Sequence, residues 1–453
     1  MHSFQYAPDY TLIYMEPFIH LHVHTQYSLL DGQASIDALI DKAYKDGMRA
    51  IAVTDHGVMF GIKEFFNKVS KKNSKPLGII KDSEKELKPL LAKDAPTDEE
   101  QQRITELQKQ IAEAKASIFK PIIGCECYCA RNGRHSKLAS QDDRSGWHLI
   151  VLAKNKNGYK NLIKMVSLSW TEGFYGRPRI DKELLEKYHE DLIICSACLG
   201  GEIPQHIMHG RIDKAEESIK WFKNLFGEDY YLEMQRHETH DPNADCTIFP
   251  HQQEVNKVLI ELAHKYNIKL IANDVHFVNA DDAEAHDRLI CLSTGKDLDD
   301  PKRMRYSKQE WMKTTAEMNT IFADIPEALS NTLEIADKIE FYSIDSGPIM
   351  PTFAIPEEFG TEESYRQKLT EHDLFEEFTR DENGNVVLSE EEAHSKIKKL
   401  GGYDKLYRIK LEADGWTYFL ASLQALAPVK LIFSTVLSLI AALAVYNSRM
   451  FRQ

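Results

Sequence analysis

Positive charge is in short supply: 56 lysines and arginines face 70 aspartates and glutamates in 453 residues, a formal net charge of −14. Attraction of the whole surface to nucleic acid is therefore disfavoured, although a basic groove or bound cations can reverse the sign locally, so a DNA partner stays open. Cysteines are few and odd in number: Cys125, Cys127, Cys129, Cys195, Cys198, Cys246 and Cys291. The N-terminal MHSFQYAPDYTLIYM lacks the basic start and long apolar core of a secretory signal. A reducing cytoplasm fits best. Long uncharged runs are also missing until Leu431–Tyr446, and those sixteen residues fall short of the ~20 that span a bilayer. A stretch begun at Trp416 reaches that length only if Lys430 is tolerated. A buried helix or an unrelated terminus is preferred there, and no membrane partner is expected.

What is present is a globular composition, 43% hydrophobic, enough for two or three domains. From Pro17 onward, short apolar runs alternate with helical stretches. FIHLHVH (18–24) reads as a strand; Ser35 caps a helix that sets Ile36, Leu39, Ile40 and Ala43 on one face and closes at Gly47. AIAVTDHG (50–57), PIIGCECYC (121–129), HLIVLAKN (148–155), DLIICSACLGG (191–201) and IKLIANDVHF (268–277) repeat the strand pattern. Such repeats imply parallel strands buried on both faces, in an open sheet or a barrel, with chemistry at the strands' carboxyl ends. Residues 70–120, dense in charge, read as an exposed helical insertion with Ile104, Leu107 and Ile111 at helical spacing. The organisation expected is an extension over 1–16, a barrel over 17–290, a mainly helical region over 291–415 and an atypical apolar tail over 416–453.

His20, His22 and His24 alternate, and in a regular strand all three share a face opposite Leu21 and Val23. The metal-capable residues at strand ends are His22, His24, Asp31, His56, Glu126, His148, Cys198, Asp274 and His276. Each alone reads as a structural residue. Together, an H-x-H and a D-x-H pair supply nitrogen and oxygen donors of the kind zinc, manganese or iron accept. One metal takes about four protein ligands, so nine candidates argue for two or three divalent ions, with Glu126 placed to bridge.

HLHVHTQYSLLDG, AVTDHG, PIIGCE, HLIVLAKN, SACLGGEIP and ANDVHF, in this order, closely resemble the polymerase and histidinol phosphatase (PHP) domain that begins bacterial DNA polymerase III alpha subunits. GFYGRPRID (173–181), YYLEMQRH (230–237) and IPEALSNTLEIADKIEF are similar to that polymerase rather than to free-standing phosphatases, and the likeness runs from about residue 17 to 415. The resemblance implies a distorted barrel of seven βα units with a metal cluster at its mouth. It carries the ligand role onto the same nine residues and leaves His20 outside them, as a supporting or structural residue.

The chemistry so implied is phosphodiester hydrolysis of the 3′–5′ exonuclease type. Asp31, His56, Glu126 and Asp274 are the catalytic candidates, and Arg177 and Arg179 the phosphate contacts. DNA, as a single strand or a primer 3′ end, is the implied substrate, and the subunits of a replicative holoenzyme are the implied partners. After residue 290 no glycine-serine-rich nucleotide loop is found, and Asp297 and Asp299 lack the flanking apolar strand of a polymerase palm, so the chain is not expected to extend a primer alone. Two alternatives remain: a metal-stabilised scaffold without turnover, and a free-standing small-molecule phosphatase. Cys125, Cys127 and Cys129 read as small hydrophobes packed outside the barrel. Cys195 and Cys198 also match a redox C-x-x-C, but the motifs around them favour Cys198 as a ligand and Cys195 as a strand residue.

Overall fold

The computed structural model describes residues 15–411 except 30, 94, 139–143, 347–361 and 382. Most of the N-terminal extension and the whole tail after residue 415 lie outside the described residues. The chain divides into two compact units, Met1–Asp345 and Ser346–Gln453.

Among its described residues the first unit has nine strands: β1 (His22–Val23), β2 (Ala50–Val53), β3 (Lys120–Cys129), β4 (Trp147–Ala153), β5 (Arg179–Ile180), β6 (Leu192–Cys195), β7 (Tyr230–Met234), β8 (Lys269–Ala272) and β9 (Asp274–Val275). Six pair in the order β2-β3-β4-β6-β7-β8, with β5 attached to β3. β9 prolongs β8 past Asn273 and pairs with β1, while Ala52 and Thr54 donate to the carbonyls of His20 and Val23. Those bonds close the ring, and the distorted barrel expected from the sequence is what forms. One direction differs from expectation: β4 runs antiparallel to both β3 and β6. Residues 130–146 carry no apolar periodicity for a crossover helix, and antiparallel neighbours need none.

Strand alternation divides the apolar side chains between two cores. Ile51, Val53, Ile123, Val151, Ile194 and Leu232 face the surrounding helices; Leu21, Ala52, Ile122, Leu152, Ile193 and Ile271 fill the barrel. The helix Glu327–Lys338 puts Ile335 and Ala336, with Ile339 just beyond its end, against this inner set and plugs it. The unit thus runs to Asp345, past the boundary expected at residue 290. A periodic helix in the sequence reveals an apolar face but not the surface that buries it.

The insertion is helical as read: Ser74–Leu91 and Asp98–Ala116 pack on each other. Thr97 and Glu100 form a capping box at the start of the second helix. At the root, the Asn73 side-chain amide donates to the Phe119 carbonyl and its oxygen accepts the Phe119 N–H, 2.7 and 3.0 Å. In the second unit, the helices Glu371–Thr379 and Glu390–Leu400 bury Leu374, Phe378, Ala393 and Ile397 with Leu406 and Tyr407.

Candidate metal centre

β1 is irregular, and the irregularity aims the first ligands. The donors Ala52 and Thr54 stand two positions apart in the chain, but their acceptors His20 and Val23 stand three apart. The extra residue is a bulge. It breaks the alternation, so Leu21 and His22 are not on opposite faces: Leu21 belongs to the inner core, Val23 to the outer one. His20 therefore does not share a face with His22 and His24. Its Nε2 bonds the Lys313 carbonyl at 2.8 Å, a structural contact.

Inside the mouth, the far nitrogen of each histidine is already engaged. His22 Nδ1 bonds Glu233 Oε1 at 2.7 Å. His24 Nδ1 donates to Ser28 Oγ at 3.0 Å, because that hydroxyl spends its own proton on Asp55 Oδ1 at 2.8 Å. The two Nε2 atoms are left facing each other 3.0 Å apart. At that distance a proton or a metal cation lies between them, and Asp274, Glu233 and Glu126 hold His22 well above the ordinary imidazole value against its burial. His22 Nε2 is also 3.4 Å from Glu126 Oε1 and 3.5 Å from Asp274 Oδ1.

Glu126, on β3 between two outward cysteines, is fully buried and reaches across the mouth. Its Oε1 bonds His148 Nδ1 at 2.8 Å, and its Oε2 touches His56 Nδ1. His148 lies at the start of β4, and the reversed direction of that strand brings its start to the end of the barrel where the other ligands gather. Cys198 Sγ lies 3.4 Å from His148 Nδ1 and 3.8 Å from Glu126 Oε1. On the other side, Asp31 Oδ2 is 2.5 Å from His56 Nε2, and Asp274 Oδ1 is 3.4 Å from His276 Nε2. The nine residues singled out in the sequence thus form one connected cluster: seven line a single cavity, while His22 and Asp31 join it through Glu126, Asp274 and His56.

Electrostatics are severe there. Burial alone would push every carboxylate up and every imidazole down. The imidazoles of His148, His56 and His22 nevertheless hold Glu126 well below the usual range, and His276 and His56 do the same to Asp31. Glu126 and Asp31 in turn raise His56 to about 10 against its burial, and Asp274 and Asp31 raise His276 to about 10. The cluster is a cage of negative charge that keeps protons where no other cation balances it.

The donor set fits metal. His56 Nδ1, Glu126 Oε2, Asp274 Oδ1 and His276 Nδ1 are buried yet lack a directed hydrogen bond, a costly condition that cations relieve. Four triads hold donor atoms within 4.8 Å of one another: His22, His24, Glu126; His24, His56, His276; His56, Glu126, His148; and Asp31, His276, His286. Shared members such as Glu126 and His56 suit more than one ion.

Several site residues escaped the sequence reading. His286 stands 3.9 Å from Asp31 Oδ1, and the Tyr306 hydroxyl donates to the same oxygen at 2.9 Å. Both follow residue 277, where the repeating strand signal ends. Asp55 was passed over beside His56; its carboxylate takes the Thr25 N–H and hydroxyl and shapes the turn that carries Ser28. The two arginines separate. Arg177 is exposed on the rim, its guanidinium 5.6 Å from the Tyr128 ring centre. Arg179 has no exposed surface and donates to the carbonyls of Gly173, Arg134 and Ser136 at 2.8–2.9 Å. The expected phosphate contact at Arg179 is therefore corrected to a brace of the surrounding loops. Cys125, Cys127 and Cys129 lie in the outer core, and Cys195 in the inner one.

A barrel closed in this way, with imidazoles and carboxylates converging at one mouth, defines a class: residues 20–237 match the PHP domain model, and this part of the chain is a PHP domain. Such domains bind multiple metal ions. More particularly, 78% of the chain is similar to the DNA polymerase III subunit alpha of Borreliella burgdorferi, 41% identical over 356 residues. It is likewise similar to the proteins of that name from Treponema pallidum (33% over 406 residues, 89% of the chain) and Thermus aquaticus (34% over 365 residues, 78%). The chain matches 26%, 29% and 25% of those three relatives, so it spans about a quarter of their length.

Proposed function

We propose that the mouth of the barrel hydrolyses phosphodiesters, removing nucleotides from the 3′ end of a DNA strand, in the N-terminal part of a replicative polymerase subunit that works in the cytoplasm with other holoenzyme subunits. The observation that carries this reading is the convergence of nine metal-capable side chains, with Glu126 common to two of the triads. The similar DNA polymerase III subunits alpha support the DNA substrate. The chain by itself does not extend a primer in this reading.

The residues divide the work by position. His22, His24, Glu126, His148, Cys198, Asp274 and His276 hold two or three divalent ions of zinc, manganese or iron type. Bound there, such ions supply Lewis-acid polarisation of the phosphoryl group and acidify water toward pKa ~7. Glu233 and Ser28 fix the tautomers that turn His22 and His24 inward. Asp31, oriented by Tyr306, and His56 lie in contact at the more open side of the mouth. Both sit in donor triads with His276, so they complete the ligand set on that side. Arg177 contacts a phosphate from the rim.

The test is hydrolysis of 5′-labelled single-stranded DNA beside a phosphomonoester, with Asp274→Ala as control. Stepwise release from the 3′ end is expected, falling by about 100-fold or more in the variant. Metal retention with neither substrate cleaved would replace this reading by the scaffold. Cleavage of the monoester alone would replace it by the phosphatase.

A further inference from the structure

Beside the mouth lies a pair of aromatic rings that the barrel does not use. Trp170, near the end of the helix Lys156–Thr171, and Phe174 are 43% and 46% exposed. Their rings stack at 16° with centroids 5.4 Å apart. Two large rings paired on each other yet left half in water mark a contact surface rather than a core.

Their placement ties them to the metal centre. The Trp170 indole N–H donates to the carbonyl of Gly57, the residue after His56, at 2.9 Å. Gly57 has φ +62°, and a Cβ there would meet Pro178 at 2.6 Å, so the segment carrying Phe174 and Arg177 sits directly on it. Tyr128 continues the path: its ring lies 6.0 Å from that of His56 and 5.2 Å from that of His148. Exposed Arg177 stands over the Tyr128 ring and pairs with no carboxylate among the described residues. On a chain of net charge −14, an exposed guanidinium with no carboxylate partner among the described residues, three residues along the same segment from exposed Phe174, is a local feature suited to an anion that also carries flat rings.

We propose that Trp170, Phe174 and Arg177 form a platform that receives single-stranded nucleic acid: unpaired bases stack on the aromatic pair while Arg177 takes a backbone phosphate, leading the strand to the mouth. This rests on the phosphodiesterase reading and adds the path by which the substrate arrives. Aromatic faces beside a cationic track bind single strands without regard to sequence, because every base has a π face. A protein partner would use the rings but has no need of a cation at the edge of the metal centre.

The test uses the full chain loaded with manganese and two phosphorothioate-linked probes of equal length, oligo(dT) and a wholly abasic strand, with affinity read by fluorescence anisotropy. Phe174→Ala and Trp170→Leu should each bind oligo(dT) about tenfold more weakly, and Phe174→Tyr should restore binding. The abasic strand should bind all three like the unaltered protein. Arg177→Gln should weaken both probes and flatten their salt dependence. The proposal is overturned if both aromatic variants, with metal content and circular dichroism intact, bind oligo(dT) normally, as a protein-docking patch would allow. It is overturned too if they lose both probes equally. Base-dependent binding by a chain that cleaves no DNA would uphold the platform and remove the phosphodiesterase reading; cleavage with affinities unmoved by either aromatic substitution would remove the platform alone.

Discussion

At the scale of single residues, what matters in the mouth is which nitrogen or oxygen of each side chain is already committed. Glu233 and Ser28 claim Nδ1 of His22 and His24 and so leave both Nε2 atoms to the cluster. Outside it, two residues give clear expectations. Arg179 is a buried cation held by three carbonyls. Arg179→Ala should therefore cost about 3 kcal/mol or more in denaturant unfolding, since buried acceptors are left unmatched, whereas Arg177→Ala should stay within about 0.5 kcal/mol. Lys313 lies under the barrel wall, where burial, opposed by Glu310 and Glu317, lowers it to about 8. Between that value and the ordinary 10.5 the unfolded chain binds more protons than the folded one, so this group's contribution to stability rises with pH through that window. Relative to Lys313→Met, the unaltered protein should gain roughly 2 kcal/mol between about pH 7 and pH 9.5, measured by urea unfolding at both. Much of the residue inventory was legible in the sequence, since H-x-H, D-x-H and the lone Glu126 stand at strand ends. The supporting residues were not: Glu233, Ser28 and Tyr306 gain meaning only from the atoms they face.

Elements tell a second story, in which irregularities do the aiming. The bulge in β1 turns His22 and His24 inward while sending His20 out, and regular alternation in the sequence gives no sign of it. The reversal of β4 is equally hidden, because its apolar run reads the same in either direction. The charged insertion was legible from its charge density and the helical spacing of Ile104, Leu107 and Ile111. Its buried residues Ile104, Leu107 and Ile111 lie outside the main core, and Asn73 with Phe119 ties its two ends together. Replacing residues 75–117 by a short glycine-serine linker should therefore leave metal content unchanged and stability within about 1 kcal/mol by thermal and urea unfolding.

At the scale of the whole molecule, the barrel unit includes segments that the linear pattern assigned elsewhere. Helix Glu327–Lys338 fills the barrel, and Tyr306 closes on Asp31 from beyond the last strand. Contacts of this kind join residues more than 300 positions apart, such as Ile19 with Thr332, and no local pattern announces them. The ordered motifs did announce the barrel and the cavity where their polar ends meet.

The account depends on that cavity holding cations. Elemental analysis of the purified chain after exposure to zinc, manganese and ferrous iron and removal of free ions tests this most directly. The account predicts two or three ions per chain, with fewer in Glu126→Gln because that carboxylate serves two donor triads. A correctly folded chain that retains no stoichiometric metal under any of these conditions would contradict it.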